Sequence, residues 1–130
     1  MDQYKDILIQ RCLEKSDEAL ISAELNFNNN LLMTTLNRVY YAIFYTVSAL
    51  GYKHGFVTSK HSKLMGWFNK KFIFEDKIFD KKLTKIYSDA YKLRQENDYQ
   101  HMINPNKKDT ENILSDAKIF IETVRKVISS

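Results

Sequence analysis

The sequence predicts an all-α fold, an up-and-down four-helix bundle with one additional short helix, and three observations lead there. In 130 residues there are only three Gly and one Pro, too little punctuation for many tight turns. Apolar side chains recur at spacings of three and four along every long segment, and no run alternates with a period of two for long enough to make a strand. The balance of 44% apolar and 28% charged residues is that of an ordinary folded protein. Residues 1–130 therefore read as a single domain, long enough for one core and too short for a second.

The first helix spans about residues 3–26, with Leu8, Cys12, Ala19 and Ala23 on one face and Ile9, Leu13 and Leu20 on its edge. "NFNNN" ends it, and Asn29 or Asn30 is placed to cap a second helix running to about Leu50. "GYKHGF" stops that helix. Thr58 or Ser59 can cap a third, shorter one through "KHSKLMGWFNKKF", with Leu64, Trp67, Phe68 and Phe72 inward. The fourth covers about residues 80–99 on a stripe of Leu83, Ile86, Ala90 and Leu93. After the loop "HMINPNK", a last helix carries Ile113, Ala117, Phe120, Val124 and Val127.

Several function classes drop out early. One cysteine, Cys12, excludes an internal disulfide and a Cys-rich zinc site, and its apolar neighbours mark it as a core residue. The three histidines have no metal-ligand spacing, so no metal and no other cofactor is expected. "MDQYKDILIQ" has no basic n-region or apolar h-region, and no run is long enough to span a bilayer, which predicts a cytoplasmic protein without a membrane partner. The net charge of +4 is uneven: residues 1–52 hold 4 basic and 6 acidic side chains, residues 53–94 hold 11 and 4, and residues 95–130 hold 5 and 6. Lys70, Lys71, Lys81, Lys82 and Lys85 in the basic middle third are candidate phosphate contacts, or simply a solvated surface.

Two helices carry a second face. At about 100° per residue, Leu36, Val39, Ile43, Val47 and Leu50 form the apolar stripe of the second helix, while Thr34, Arg38, Tyr41, Tyr45 and Ser48 gather on its other side. On the fourth, Tyr87, Tyr91, Arg94, Asp98 and His101 fall together, displaced from the core stripe. Such polar-aromatic faces fit a rim, a subunit contact or a ligand surface. Arg94 and Asp98 at i, i+4 are equally consistent with a plain surface ion pair.

The segments "LNRVYYAIFYTVSAL", "TSKHSKLMGWFNKKF" and "LRQENDY", in this order, resemble the small stand-alone bacterial and archaeal branch of the HEPN domain family (higher eukaryotes and prokaryotes nucleotide-binding). The resemblance covers nearly the whole chain and implies the same bundle. It also implies a metal-independent endoribonuclease or toxin-like component, whose Arg-x4-6-His motif lies at a dimer interface where two copies form one composite site. Arg94 and His101, with six residues between them, match that motif as the catalytic pair, with Asp98, Tyr99, Asn37, Arg38 and Tyr41 in support.

The chemistry is coherent: RNA cleavage through the 2′-hydroxyl needs proton transfer near neutral pH and a cation for the phosphorane, which histidine and arginine supply. His54 and His61 are left between hydrogen-bonding surface residues and accessory groups. The alternative implied by the resemblance is non-catalytic, either a nucleotide- or RNA-binding module or a helical partner of a small nucleotidyltransferase. The partners to be expected under these two readings are thus a second copy of the chain, RNA or a nucleotide, and a small nucleotidyltransferase.

Overall fold

The computed structural model describes residues 2–99 and 105–130, with side chains for residues 3–95 and 105–130. Five α-helices follow in order: α1 (Asp2–Asn28), α2 (Leu32–His54), α3 (His61–Phe68), α4 (Lys82–Tyr99) and α5 (Lys107–Ser129). A π-helical segment, Asn69–Glu75, continues α3, and the Asp76 N–H reaches the Lys71 carbonyl five residues back at 2.9 Å. The described residues contain no strand. The long helices α1, α2, α4 and α5 form the bundle and α3 is the additional short one, in agreement with the sequence.

α2 is the central helix, packed on α1, α5, α4 and α3. Its predicted stripe of Leu36, Val39, Ile43, Val47 and Leu50 is buried, but so are Thr35, Tyr40, Ala42, Thr46 and Ala49. Of these, Ala42 and Thr46 face α1, where Ser16 donates to the Ala42 carbonyl at 2.8 Å and shares a 2.8 Å bond with the Thr46 hydroxyl. Ala19 and Ala23 on α1 are buried and small, so the two helices lie close together. Phe68, Tyr87 and Phe120 meet in the core with ring centroids 5.4 to 5.7 Å apart, in the tilted and edge-on arrangements that aromatic quadrupoles favour.

The helix ends depart from expectation in instructive ways. Leu31, not Asn29 or Asn30, occupies the position before α2 and makes no side-chain cap bond. Asn30 instead takes a left-handed φ of 60°, which lets the chain reverse within three residues. The turn is completed by Lys107 from the start of α5, whose ammonium donates to the Phe27 carbonyl at 3.2 Å and to the Asn30 side chain, and lies 4.3 Å from the Phe27 ring centre. At the opposite end, Lys53 of α2 donates to the Val127, Ile128 and Ser130 carbonyls at 3.3, 2.7 and 2.7 Å, satisfying the last turn of α5. α5 opens on Asn106, whose side chain accepts from the Lys108 and Asp109 N–H groups.

α2 continues past Leu50 to His54 and closes on Gly55 at φ 79°, with the Phe56 N–H returned to the Gly51 carbonyl at 2.9 Å. That return brings backbone so close that a Cβ on Gly51 would lie 2.5 Å from the Phe56 carbonyl oxygen. α3 begins after Lys60; Thr58 accepts the Lys60 N–H at 3.1 Å and shapes the approach to the helix without capping it.

Candidate functional site

The site grows from the consecutive tyrosines of α2. Tyr40 and Tyr41 are about 100° apart on the helix, so Tyr40 turns into the core while Tyr41 stays half-buried at the rim. α4 crosses beside them. Its buried stripe is Leu83, Tyr87 and Ala90, with Ile86 and Leu93 at the edges. This corrects the placement of Tyr87 on a separate polar-aromatic face: it is fully buried, being four residues from Leu83 and three from Ala90. The next residue of that series is Arg94, which therefore points inward along the core stripe.

The Arg94 guanidinium stands 5.0 Å from the Tyr40 ring centre and 5.8 Å from that of Tyr41. A desolvated contact of this kind contributes about 0.5–2 kcal/mol. His61, in the first turn of α3, also packs against Tyr40. Its Nδ1 and the Tyr40 hydroxyl share a 2.7 Å hydrogen bond, and its ring stacks on Phe44 at 4.3 Å and on Tyr40 at 5.4 Å. Tyr91 completes the cluster, 5.8 Å from Tyr40 and accepting from the Gln95 amide at 3.0 Å.

The electrostatics follow from this geometry. Burial, and then the Arg94 charge, push the His61 pKa below its ordinary value of 6.5, so the imidazole is neutral at pH 7. Burial dominates at Tyr40 as well, holding the phenol well above its ordinary value even with Arg94 pulling the other way, so Tyr40 remains a hydroxyl. The Tyr40 phenol and the His61 imidazole beside Arg94 are thus both neutral. Burial also raises the Cys12 thiol, against a smaller lowering by Lys15, which fits a core residue and not a nucleophile.

Beside the cluster, a groove of about 560 Å³ runs between α1, α2 and the approach to α3, lined by Arg11, Lys15, Tyr41, Tyr45, Tyr52 and His61 among others. Lys15 lies 5.5 Å from the centre of the Tyr45 ring. Aromatic rings and cations share one concave surface, open on one side and reaching His61 on the other.

Of the residues singled out from the sequence, Arg94 and Tyr41 belong to the cluster. Arg38 adjoins it, 5.1 Å from the Tyr41 ring centre, and donates through Nε and Nη2 to the Asn37 side chain at 3.1 and 2.9 Å. His101 and the side chains of Asp98 and Tyr99 lie outside the described residues. The five lysines are elsewhere. Lys70 and Lys71 are on the π-helical segment, where Lys71 pairs with Asp76 at 3.3 Å; Lys81 and Lys82 stand where α4 begins. Lys85 pairs with Asp89 at 2.8 Å, and that bond raises its pKa. Lys85 precedes Arg94 by nine residues, roughly 14 Å along the helix.

His54 is not part of the cluster. It meets Phe72 edge-on at 5.1 Å, and burial, followed by Lys71, Lys53 and Lys5, lowers its pKa against a smaller opposite effect of Asp76. Tyr40 and His61 are what sequence reasoning underweighted. The available signal was Tyr40 itself: set four residues after Leu36 and three before Ile43, it belongs to the core edge, and a buried phenol needs a hydrogen-bond partner.

No helix of the described residues is long and apolar enough to cross a membrane. Among the described residues no group of three or more His, Cys, Asp or Glu side chains is placed to hold a metal ion.

Comparison with known proteins agrees with the resemblance in the sequence. The chain is 32% identical to the "UPF0332 protein" of Thermotoga maritima, over 95% of this chain and 93% of that one. It is 30% identical to "Putative toxin MJ0142" of Methanocaldococcus jannaschii, over 94% and 82% of the two chains, and 29% identical to "Putative toxin MJ0605" of the same organism, over 92% and 88%. The family model described as the HEPN domain matches residues 9–127, from the second turn of α1 to the last turn of α5, and the chain belongs to the HEPN domain family.

Proposed function

We propose that this protein is a toxin-type HEPN protein that cleaves RNA without a metal ion, through a site composed of Arg94 and His101 from two protomers. The observation that carries the reading is Arg94, held over Tyr40 and Tyr41 with the neutral His61 on the same cluster. A cation fixed in this way stabilises charge developing on a phosphorane without having to reorganise. His101 transfers the proton. His61, whose lowered pKa leaves it neutral, stands ready as a second acceptor.

The groove supplies surfaces for single-stranded RNA: bases stack on Tyr52 while Lys15 offsets phosphate charge. The relatives named as toxins support the class of activity. Two protomers meet through Tyr41, Tyr45 and Tyr91 in this reading, and each Arg94 serves the shared site.

The second reading is a non-catalytic RNA- or nucleotide-binding module, or a helical partner of a small nucleotidyltransferase. It is favoured by the inward direction of Arg94, which also suits a cation that only braces α4 against α2. Cleavage of single-stranded RNA in EDTA separates the two. The nuclease leaves a 2′,3′-cyclic phosphate, spares a 2′-deoxy strand, and loses about two to four orders of magnitude in rate with Arg94→Ala or His101→Ala while helicity is kept. Wild type that cuts no better than the Arg94→Ala/His101→Ala double variant sinks the nuclease and leaves the binding module.

A further inference from the structure

α1 is apolar on two sides. Its inner face packs on α2 through Ser16, Ala19 and Ala23, yet its outer face carries Tyr4, Ile7, Ile21 and Leu25, which are 68, 53, 60 and 59% exposed. With Arg11, Glu14 and Glu18 between them, these residues follow one another at alternating steps of three and four, the spacing of a seam that pairs with another helix. No element of the protomer covers this seam.

The charges along it say what does. Arg11, Glu14 and Glu18 are exposed, and within the described residues none makes an ion pair. Their neighbours on the flanks of α1 do: Asp17 with Arg125, and Glu24 with Lys118 at 2.7 Å. Taken in order, Arg11, Glu14, Lys15 and Glu18 read plus, minus, plus, minus. That order is inverted by a two-fold axis between Glu14 and Lys15. A second α1 running antiparallel across the axis brings Glu18 to the level of Arg11, and Lys15 to the level of Glu14. Leu25 comes to the level of Tyr4, and Ile21 to that of Leu8, beside Ile7. A parallel copy instead sets each charge against its like, which is unfavourable.

We propose that the outer face of α1 is an isologous contact in which two copies of this chain pair antiparallel about an axis near Glu14, with the Arg11–Glu18 pairs in the centre and apolar side chains at both ends. α1 has 27 residues, and the seam from Tyr4 to Leu25 is about 32 Å long. Lys15 contributes from the edge, since its ammonium leans toward Tyr45. The contact goes beyond the nuclease reading and does not depend on it, because no residue of the Arg94 cluster takes part. An assembly that uses both faces has two kinds of two-fold axis.

Light scattering on the full chain at micromolar concentration tests the pairing against the protomer mass of 15.4 kDa. Arg11→Glu and Glu18→Arg each halve the mass of the wild-type assembly with helicity unchanged, and the double variant Arg11→Glu/Glu18→Arg restores it, because the pairs re-form with reversed sign. Glu14→Cys in a Cys12→Ser background gives a symmetric disulfide under mild oxidation. A monomeric wild type, single reversals that leave the mass as it was, or a double variant that fails to recover overturns the proposal. Cleavage lost with Arg94→Ala is read separately, so failure of one idea leaves the other standing.

Discussion

The Tyr40 hydroxyl and His61 Nδ1 are 2.7 Å apart, and this bond joins α2 to α3 across twenty-one positions of sequence. Tyr40→Phe keeps the ring beneath Arg94 and removes only the oxygen. We predict a loss of about 1 kcal/mol in chemical denaturation, the usual contribution of such a bond, together with a faster unfolding of α3 in amide exchange. Unchanged stability and exchange would show that the bond holds nothing.

Stability should depend on pH through His61. Its pKa in the folded protein is depressed, so between the folded and unfolded values the unfolded chain binds more protons. The contribution is complete above about pH 6.5 and is lost as pH falls from there through the folded pKa. His54, also depressed, acts with the same sign. His61→Gln should flatten the acid side of the stability curve, and His54→Gln should flatten it further. A curve with the same slope in both variants contradicts the assignment.

The basic third of the chain makes a separate prediction. If Lys81 and Lys82 guide RNA along α4, Lys81→Glu/Lys82→Glu should weaken binding and reduce its salt dependence, since each phosphate contact releases counterions. Lys85→Glu should matter less because Lys85 is already paired with Asp89. Equal affinity at 50 and 200 mM salt in wild type speaks for a protein partner.

Two glycines should respond oppositely to the same change. Gly66 lies within α3 with open space around its Cβ position, so Gly66→Ala should stabilise by about 0.5–1 kcal/mol. Gly51 faces the Phe56 carbonyl at 2.5 Å from a built Cβ, and backbone there cannot swing aside. Gly51→Ala should cost about 1–3 kcal/mol. Thermal melts of the pair decide it, and two shifts of the same sign refute the packing argument.

The number and order of the helices were legible because the three-and-four spacing is strong in each of them. The stripe of α2 was right in every named residue. What periodicity did not disclose is that α2 is enclosed on several sides: Thr35, Ala42 and Thr46 carry no apolar signal, and their burial depends on α1 presenting Ser16 and two alanines. Grouping Tyr87 by angle with Tyr91, Arg94 and His101 misplaces it, because its position four residues after Leu83 and three before Ala90 puts it in the core. Arg94 was identified, but its direction depends on the Tyr87 series. Local spacing leaves His61 between a surface residue and an accessory group because its partner lies 21 residues away, a separation that no local spacing reports.

The paired lysines at the ends of α5 bear on where the molecule can yield. Lys107 ties the first turn to the α1–α2 connection and Lys53 ties the last turn to the end of α2, so any axial slip of α5 would break contacts at both ends together. α4 is held on its inner side by Tyr87 against Phe120 and by Tyr91 and Arg94 against Tyr40. Adjustment around a bound strand is therefore expected to be borne by α4 tilting on Tyr40 and Phe120, with Arg94 near the moving end. Amide exchange should record this as protected terminal turns in α5 and earlier opening toward the end of α4.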